Sequence, residues 1–197
     1  MIKPFARLFG LSLLLLSAQS FASMPNEKVY ATGDSLAKPM IMSRFVEMSY
    51  ARKVTEVPFQ NLQGDTVKLS DYRGKLVLIN LWATWCAPCI KEIPMMDKIR
   101  RDNQDKNLVV LPLSIDAEYD KVAAFLARHQ QPNYPTLIDP QQQVEKMLPA
   151  DVVPATYVFD GEGNLVGFLR GYLDWSDIAI QGYLEGLTKK YATPQLL

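Results

Sequence analysis

The chain of 197 residues contains two cysteines, and both sit in one tetrapeptide, Cys86-Ala87-Pro88-Cys89. The pair stands where an apolar run, Leu76 to Trp82, gives way to a helical pattern, so a strand must deliver a dithiol to the first turn of a helix. A cysteine there faces unpaired backbone N–H groups and the positive end of the helix dipole, which stabilise a thiolate and lower its pKa from about 8.5. Cys86 therefore reads as the nucleophile. Cys89, one turn further in, reads as the thiol that resolves a mixed disulfide formed on Cys86.

Two other uses of the pair are weaker. A structural bridge across so short a loop adds little, because its constraint on the unfolded chain grows with loop length. Zinc takes about four ligands, and the one histidine, His129, lies in a polar stretch from Arg128 to Asn133. Redox chemistry with no metal and no cofactor is the expectation.

The first residues suggest where the dithiol works. Lys3 and Arg7 form a positive start, Leu8 to Ala18 an apolar centre, and Ser20-Phe21-Ala22 offers small residues before a cut. Residues 1–22 are expected to be a signal peptide cleaved after Ala22. The minority reading is an uncleaved anchor, for which the apolar run is far short of the roughly 20 residues of a membrane span. No other segment is apolar and long enough to span a bilayer. The expected location is an oxidising extracytoplasmic space, most simply a periplasm. Lys and Arg balance Asp and Glu at 21 each, and removing Lys3 and Arg7 leaves a mature chain near −2. No basic patch argues for nucleic acid as a partner.

Residues 23–53 read as an N-terminal extension. Ile41, Phe45 and Met48 fall at i, i+4 and i+7 after Pro39, which predicts a short amphipathic helix. Met40 and Met42 form a Met-x-Met pair of the kind that binds Cu(I), although apolar packing is the plainer account. Residues 54–190 are regular. Val57 to Leu62 and Thr66 to Leu69 read as an N-terminal β-hairpin around Gln63-Gly64-Asp65, and Leu76 to Trp82 as a strand covered on both faces. A helix follows from Ala87 to about Arg101, then a strand at Leu108 to Leu111 that should end or bulge at Pro112. Next come a helix near Lys121 to Arg128, a strand at Thr136 to Ile138 and a helix near Gln141 to Leu148. A hairpin, Thr156 to Phe159 with Leu165 to Leu169, and a helix from about Trp175 to Lys190 complete the domain, leaving 191–197 as a tail.

At Trp82-Ala83-Thr84-Trp85-Cys86-Ala87-Pro88-Cys89 the chain resembles the thioredoxin superfamily, and Val153-Pro154-Ala155-Thr156 before a strand is similar to its cis-proline segment. Pro94 stands where thioredoxins carry a helix-kinking proline. The resemblance implies an α/β thioredoxin fold, with a central mixed sheet flanked by helices and a cis bond before Pro154. Two departures narrow it. Asn80 occupies the position of the buried aspartate of ordinary thioredoxins, and Glu92 completes Cys-x-x-Cys-x-x-Glu-x-Pro from Cys86 to Pro94. With the extra strand and helix before Pro154, this resembles the TlpA/ResA group of extracytoplasmic thiol-disulfide oxidoreductases. That group commonly acts in the reducing direction, including in cytochrome c maturation.

Spacing supports a role for Glu92 directly. Cys89, Glu92, Ile93 and Met96 share a helix face, and a partly buried carboxyl with a raised pKa can exchange a proton with Cys89. A partly solvated glutamate on a charged helix is the bland alternative. The resemblance also implies that Val153, with its backbone groups free beside Pro154, pairs with an extended substrate segment. Trp85 would then be a rim contact and Trp82 a core residue. Expected partners are disulfide-containing proteins and a membrane electron carrier for re-reduction. The same site run backwards would be a disulfide donor, since direction is set by potential. A thiol peroxidase would place threonine three residues before its cysteine, whereas Thr84 is two before Cys86. A copper-delivery protein would use a wider cysteine spacing and a histidine.

Overall fold

All seven residues of Leu76–Trp82 are buried, because this strand, β5, has a neighbour on each side and packing on each face. The computed structural model describes residues 24–193. Among them are nine strands: β1 (Lys28–Ala31), β2 (Val46–Arg52), β3 (Phe59–Asn61), β4 (Thr66–Val67), β5, β6 (Leu108–Ser114), β7 (Leu137–Ile138), β8 (Ala155–Phe159) and β9 (Leu165–Arg170). The helices are α1 (Ala87–Asp102), α2 (Asp120–Arg128), α3 (Val144–Met147) and α4 (Ile178–Tyr191). One sheet runs β1-β2-β9-β8-β5-β6-β7-β3-β4. The β5-β6-β7 pairings are parallel and the others antiparallel, which is the mixed α/β architecture expected.

Alternation along β5 sorts the core into two faces. Leu76 and Leu78 join a cluster with Met96 of α1 and Ile180, Leu184 and Leu187 of α4. Val77, Ile79 and Leu81 join one with Phe59, Leu69, Val144 and Met147 on the other face. Each such side chain, fully buried, contributes about 1.5–3 kcal/mol. At the C-terminal end of β5 a third cluster gathers Trp82, Cys86, Cys89 and Ile93 with Val122, Phe125 and Leu126 of α2.

Four sequence expectations need correction. The amphipathic helix over Ile41, Phe45 and Met48 is not formed: a 3-10 turn, Met40–Met42, is followed after a short turn by β2. The edge of β9 captures this segment, pairing Val46 with Phe168 and Glu47 with Gly167, while β1 adds outside it. Met42 and Phe45 are the residues that enter the core. Phe45 crosses β9 at Gly167, where a Cβ would come within 2.5 Å of its ring, and meets Tyr183 edge-on.

The strand from Leu108 does not stop at Pro112 but runs to Ser114. Pro112 turns its carbonyl toward Thr136, so its missing N–H faces the same side. There β7 pairs only Leu113 and Ser114, so no ladder donor is lost. The last helix begins at Ile178 rather than Trp175, because Asp177 caps it, accepting from the Ala179 N–H at 2.8 Å, while Trp175 is drawn into the core. The helix near Gln141 shrinks to Val144–Met147, its start held by the Val144 N–H donating to Asp139 at 2.7 Å. The expected signal peptide, residues 1–22, and residues 194–197 of the tail lie outside the described residues.

Candidate active site

Cys86 and Cys89 are joined by a disulfide, with Cα atoms 5.3 Å apart. Cys86 is the N-cap of α1 in extended conformation, and its Sγ accepts from the Cys89 N–H at 3.3 Å. The strand-to-helix turn is closed by the Cys86 N–H donating to Ala83 at 3.1 Å and the Ile90 N–H donating to Cys86 at 3.2 Å. Pro88 in the first turn needs no intrahelical donor there. Ala87 and Pro88 are exposed. Both sulfur residues are largely covered, Cys86 at 5% exposure and Cys89 at 1%, so Cys86 is the more accessible residue of the two.

The Val153–Pro154 bond is cis. Val153 packs against the cluster that holds both cysteines, and its backbone N–H and C=O have no hydrogen-bond partner among the described residues. The Pro154 carbonyl accepts from the Gly171 N–H at 2.7 Å, tying the cis-proline loop to the end of β9. Trp85 stands 69% exposed beside the disulfide. Trp82 is buried, its indole donating to the Thr136 hydroxyl at 2.8 Å.

Glu92 is not a surface glutamate: it is 2% exposed, on the α1 turn that follows Cys89. Its Oε1 accepts from the Leu173 N–H at 2.7 Å and its Oε2 from Asn80 Nδ2 at 3.3 Å. Asn80 also donates to the Thr156 hydroxyl at 3.1 Å, so one buried network joins α1, β5 and β8. Burial pushes the Glu92 carboxyl up to about 7 against these donors, the nearby Trp175 indole and the Arg44 charge, all of which lower it. A carboxyl that titrates near neutral pH can both take and return a proton.

Sequence reasoning missed Asp116. It accepts from the Thr84 N–H at 3.0 Å, the Thr84 hydroxyl at 2.6 Å and the Ser114 hydroxyl at 2.7 Å, holding the loop that leads into Cys86. Its place just beyond β6, level with the end of β5, was the available signal. Arg44 and Leu173, far apart in sequence, carried none. Among the described residues no group of three or more His, Cys, Asp or Glu is arranged to hold a metal. Met40 lies in solvent and Met42 in the core, so the two thioethers are not placed as a pair of ligands.

A disulfide at a helix start, a cis-proline loop beside it and a buried carboxyl one turn inward, on this mixed sheet, define a thiol-disulfide oxidoreductase of the thioredoxin fold. The chain belongs to the AhpC/TSA family, whose sequence model matches residues 51–167. It is 31% identical to the thiol-disulfide oxidoreductase ResA of Geobacillus kaustophilus over 127 residues, 64% of this chain and 71% of that protein. ResA of Bacillus cereus is 25% identical over 146 residues, 74% of this chain and 83% of the relative. Among solved structures, the exposed lipoprotein thioredoxin of Streptococcus pneumoniae matches with a TM-score of 0.56 at 28% identity, covering 67% of this chain and 99% of that one. These similarities support the TlpA/ResA-like branch of the thioredoxin superfamily.

Proposed function

We propose that the protein is an extracytoplasmic, specifically periplasmic, reductant of protein disulfides. The reduced Cys86 thiolate attacks a substrate disulfide, forming a mixed disulfide and releasing one substrate thiolate. The Glu92 carboxylate takes the Cys89 proton, and the Cys89 thiolate attacks the Cys86 sulfur. That frees the second substrate thiol and leaves the Cys86–Cys89 disulfide seen here. Two electrons pass to substrate, and a membrane electron carrier is the proposed source that restores them. An extended substrate segment pairs with the free Val153 backbone groups, and Trp85 forms the rim of its seat.

The observation that carries this reading is the Cys86–Cys89 disulfide at the start of α1 with Glu92 buried one turn beyond it, where burial pushes the carboxyl up to about 7. Reduction is favoured because Ala87 and Pro88 bring no charge to Cys86, and its Sγ accepts only the Cys89 N–H among the described residues. A thiolate with so few donors leaves the disulfide form favoured and the dithiol a better electron source. The sequence of residues 1–22 supports the periplasm, with residues 54–190 as the thioredoxin-like working domain, and the resemblance to the TlpA/ResA group makes cytochrome c maturation one setting for it. Peroxidase chemistry is disfavoured, since Thr84 spends both its hydroxyl and its N–H on Asp116.

The equilibrium potential of the Cys86–Cys89 couple against glutathione tests the direction. The expected value lies close to that of thioredoxin, about −270 mV. A value nearer the periplasmic oxidant, about −120 mV, would overturn the reducing assignment.

A further inference from the structure

The segment that follows β9 makes three attachments within four residues. The Gly171 N–H donates to the Pro154 carbonyl, the Leu173 N–H donates to Glu92, and the carbonyls of Arg170 and Tyr172 accept from the two terminal nitrogens of Arg44. Gly171 makes the turn possible at φ 88, and a Cβ there would meet Arg44 Nη1 at 3.2 Å. Arg44 sits in the short turn between Met42 and β2. Both ends of this clamp, Arg44 and residues 170–173, lie outside the span that the family model matches.

We propose that Arg44 is a positioning residue for Glu92: its guanidinium grips the Arg170 and Tyr172 carbonyls and so fixes the turn that presents the Leu173 N–H to the buried carboxyl. A planar guanidinium holds its two terminal N–H groups in a fixed fork that meets two carbonyls at a set spacing, whereas an ammonium donates from a single rotatable point. The N-terminal segment thereby acts on the active site without touching it. The inference rests on the proposed role of Glu92 and adds what sets that residue's geometry. The groups that act on the carboxyl are Asn80 from β5, the Leu173 N–H and Trp175 from the segment after β9, Arg44 from the turn before β2 and Tyr134 from the chain before β7, while Cys89 lies buried one turn earlier on its own helix.

The test compares the wild-type protein with Arg44→Ala, Arg44→Lys and Glu92→Gln. Two readouts report on the clamp: hydrogen exchange of the Leu173 amide, and titration of the Glu92 carboxyl by carbon NMR. A third, the pH profile of Cys89 alkylation in the reduced protein, reports on Glu92 itself. Arg44→Ala is expected to speed Leu173 exchange at unchanged global stability and to raise the Glu92 midpoint by roughly half a pH unit, the scale of an exposed charge. Arg44→Lys keeps the charge and loses the fork, so Leu173 exchange should quicken there while the midpoint moves less. Leu173 exchange and a Glu92 midpoint that match wild type in both Arg44 variants would overturn the clamp and leave the Glu92 reading standing. A Cys89 profile unchanged in Glu92→Gln would instead sink the Glu92 reading, whatever the Arg44 variants show. If Arg44→Ala fails to fold, Arg44→Lys alone decides through the Leu173 amide.

Discussion

Glu92→Gln should make the oxidised protein more stable above neutral pH and leave it unchanged in acid. The wild-type carboxyl titrates at about 7 in the fold, raised first by burial, against roughly 4.5 when unfolded. Between those values the native state holds a proton that the unfolded chain has released, so unfolding stability falls as pH rises, by about 1.4 kcal/mol per unit. The full penalty, about 3 kcal/mol, is present above pH 7 and absent below 4.5. Glutamine is isosteric and carries no charge to desolvate. Its oxygen keeps the Leu173 N–H, and a flip of the Asn80 amide restores the contact now made through Oε2, with the Thr156 hydroxyl donating to the turned amide. Urea denaturation of wild type and variant, both oxidised, from pH 4 to 8.5 measures the difference. The two stability curves should coincide at the acid end and separate steadily between pH 4.5 and 7. Curves that run parallel across the range would mean that Glu92 is not the buried acid described.

Two further outcomes follow from the same geometry. Cys86→Ser should abolish disulfide reduction, whereas Cys89→Ser should accumulate a stable mixed disulfide with substrate, resolved by non-reducing electrophoresis; trapping through the wrong cysteine would reverse their roles. Asp116→Ala leaves the Thr84 N–H and two hydroxyls without their acceptor, and should cost about 1–3 kcal/mol in chemical denaturation, slowing substrate reduction as the loop into Cys86 loosens; an unchanged midpoint with unchanged rate would show that the loop is held by other contacts.

The part of the site that lies within a few residues of the cysteines was legible from the sequence, because its physics is local. A seven-residue run apolar at every position but Asn80, a proline in the first helical turn and two cysteines spaced by one turn specify a strand, a helix start and a thiol pair without reference to the rest of the chain. The strand Leu76–Trp82 and the start of α1 at Ala87 therefore stand where the pattern put them. Periodicity failed at Ile41, Phe45 and Met48 because the same spacing suits a turn followed by a strand once an unpaired sheet edge is available. Only the position of β9 beside residues 46–52 decides between them. Pro112 was misread for a related reason. A proline's harm to a sheet depends on which neighbour its missing N–H faces, and that is a property of the β6–β7 pairing rather than of β6.

Glu92 shows the division within a single residue. Helical spacing placed it on the face of Cys89, but the burial that raises it to about 7 belongs to the packed fold, and the donors that oppose the shift, Asn80, Leu173 and Trp175, are brought from 12 to more than 80 positions away. Charge, reach and side-chain identity are encoded locally. Desolvation is not, since it depends on everything that packs around the group. The sequence by itself thus determined which atoms could exchange electrons, and the tertiary structure alone decided which carboxyl is dry enough to exchange the proton and which arginine stands behind it.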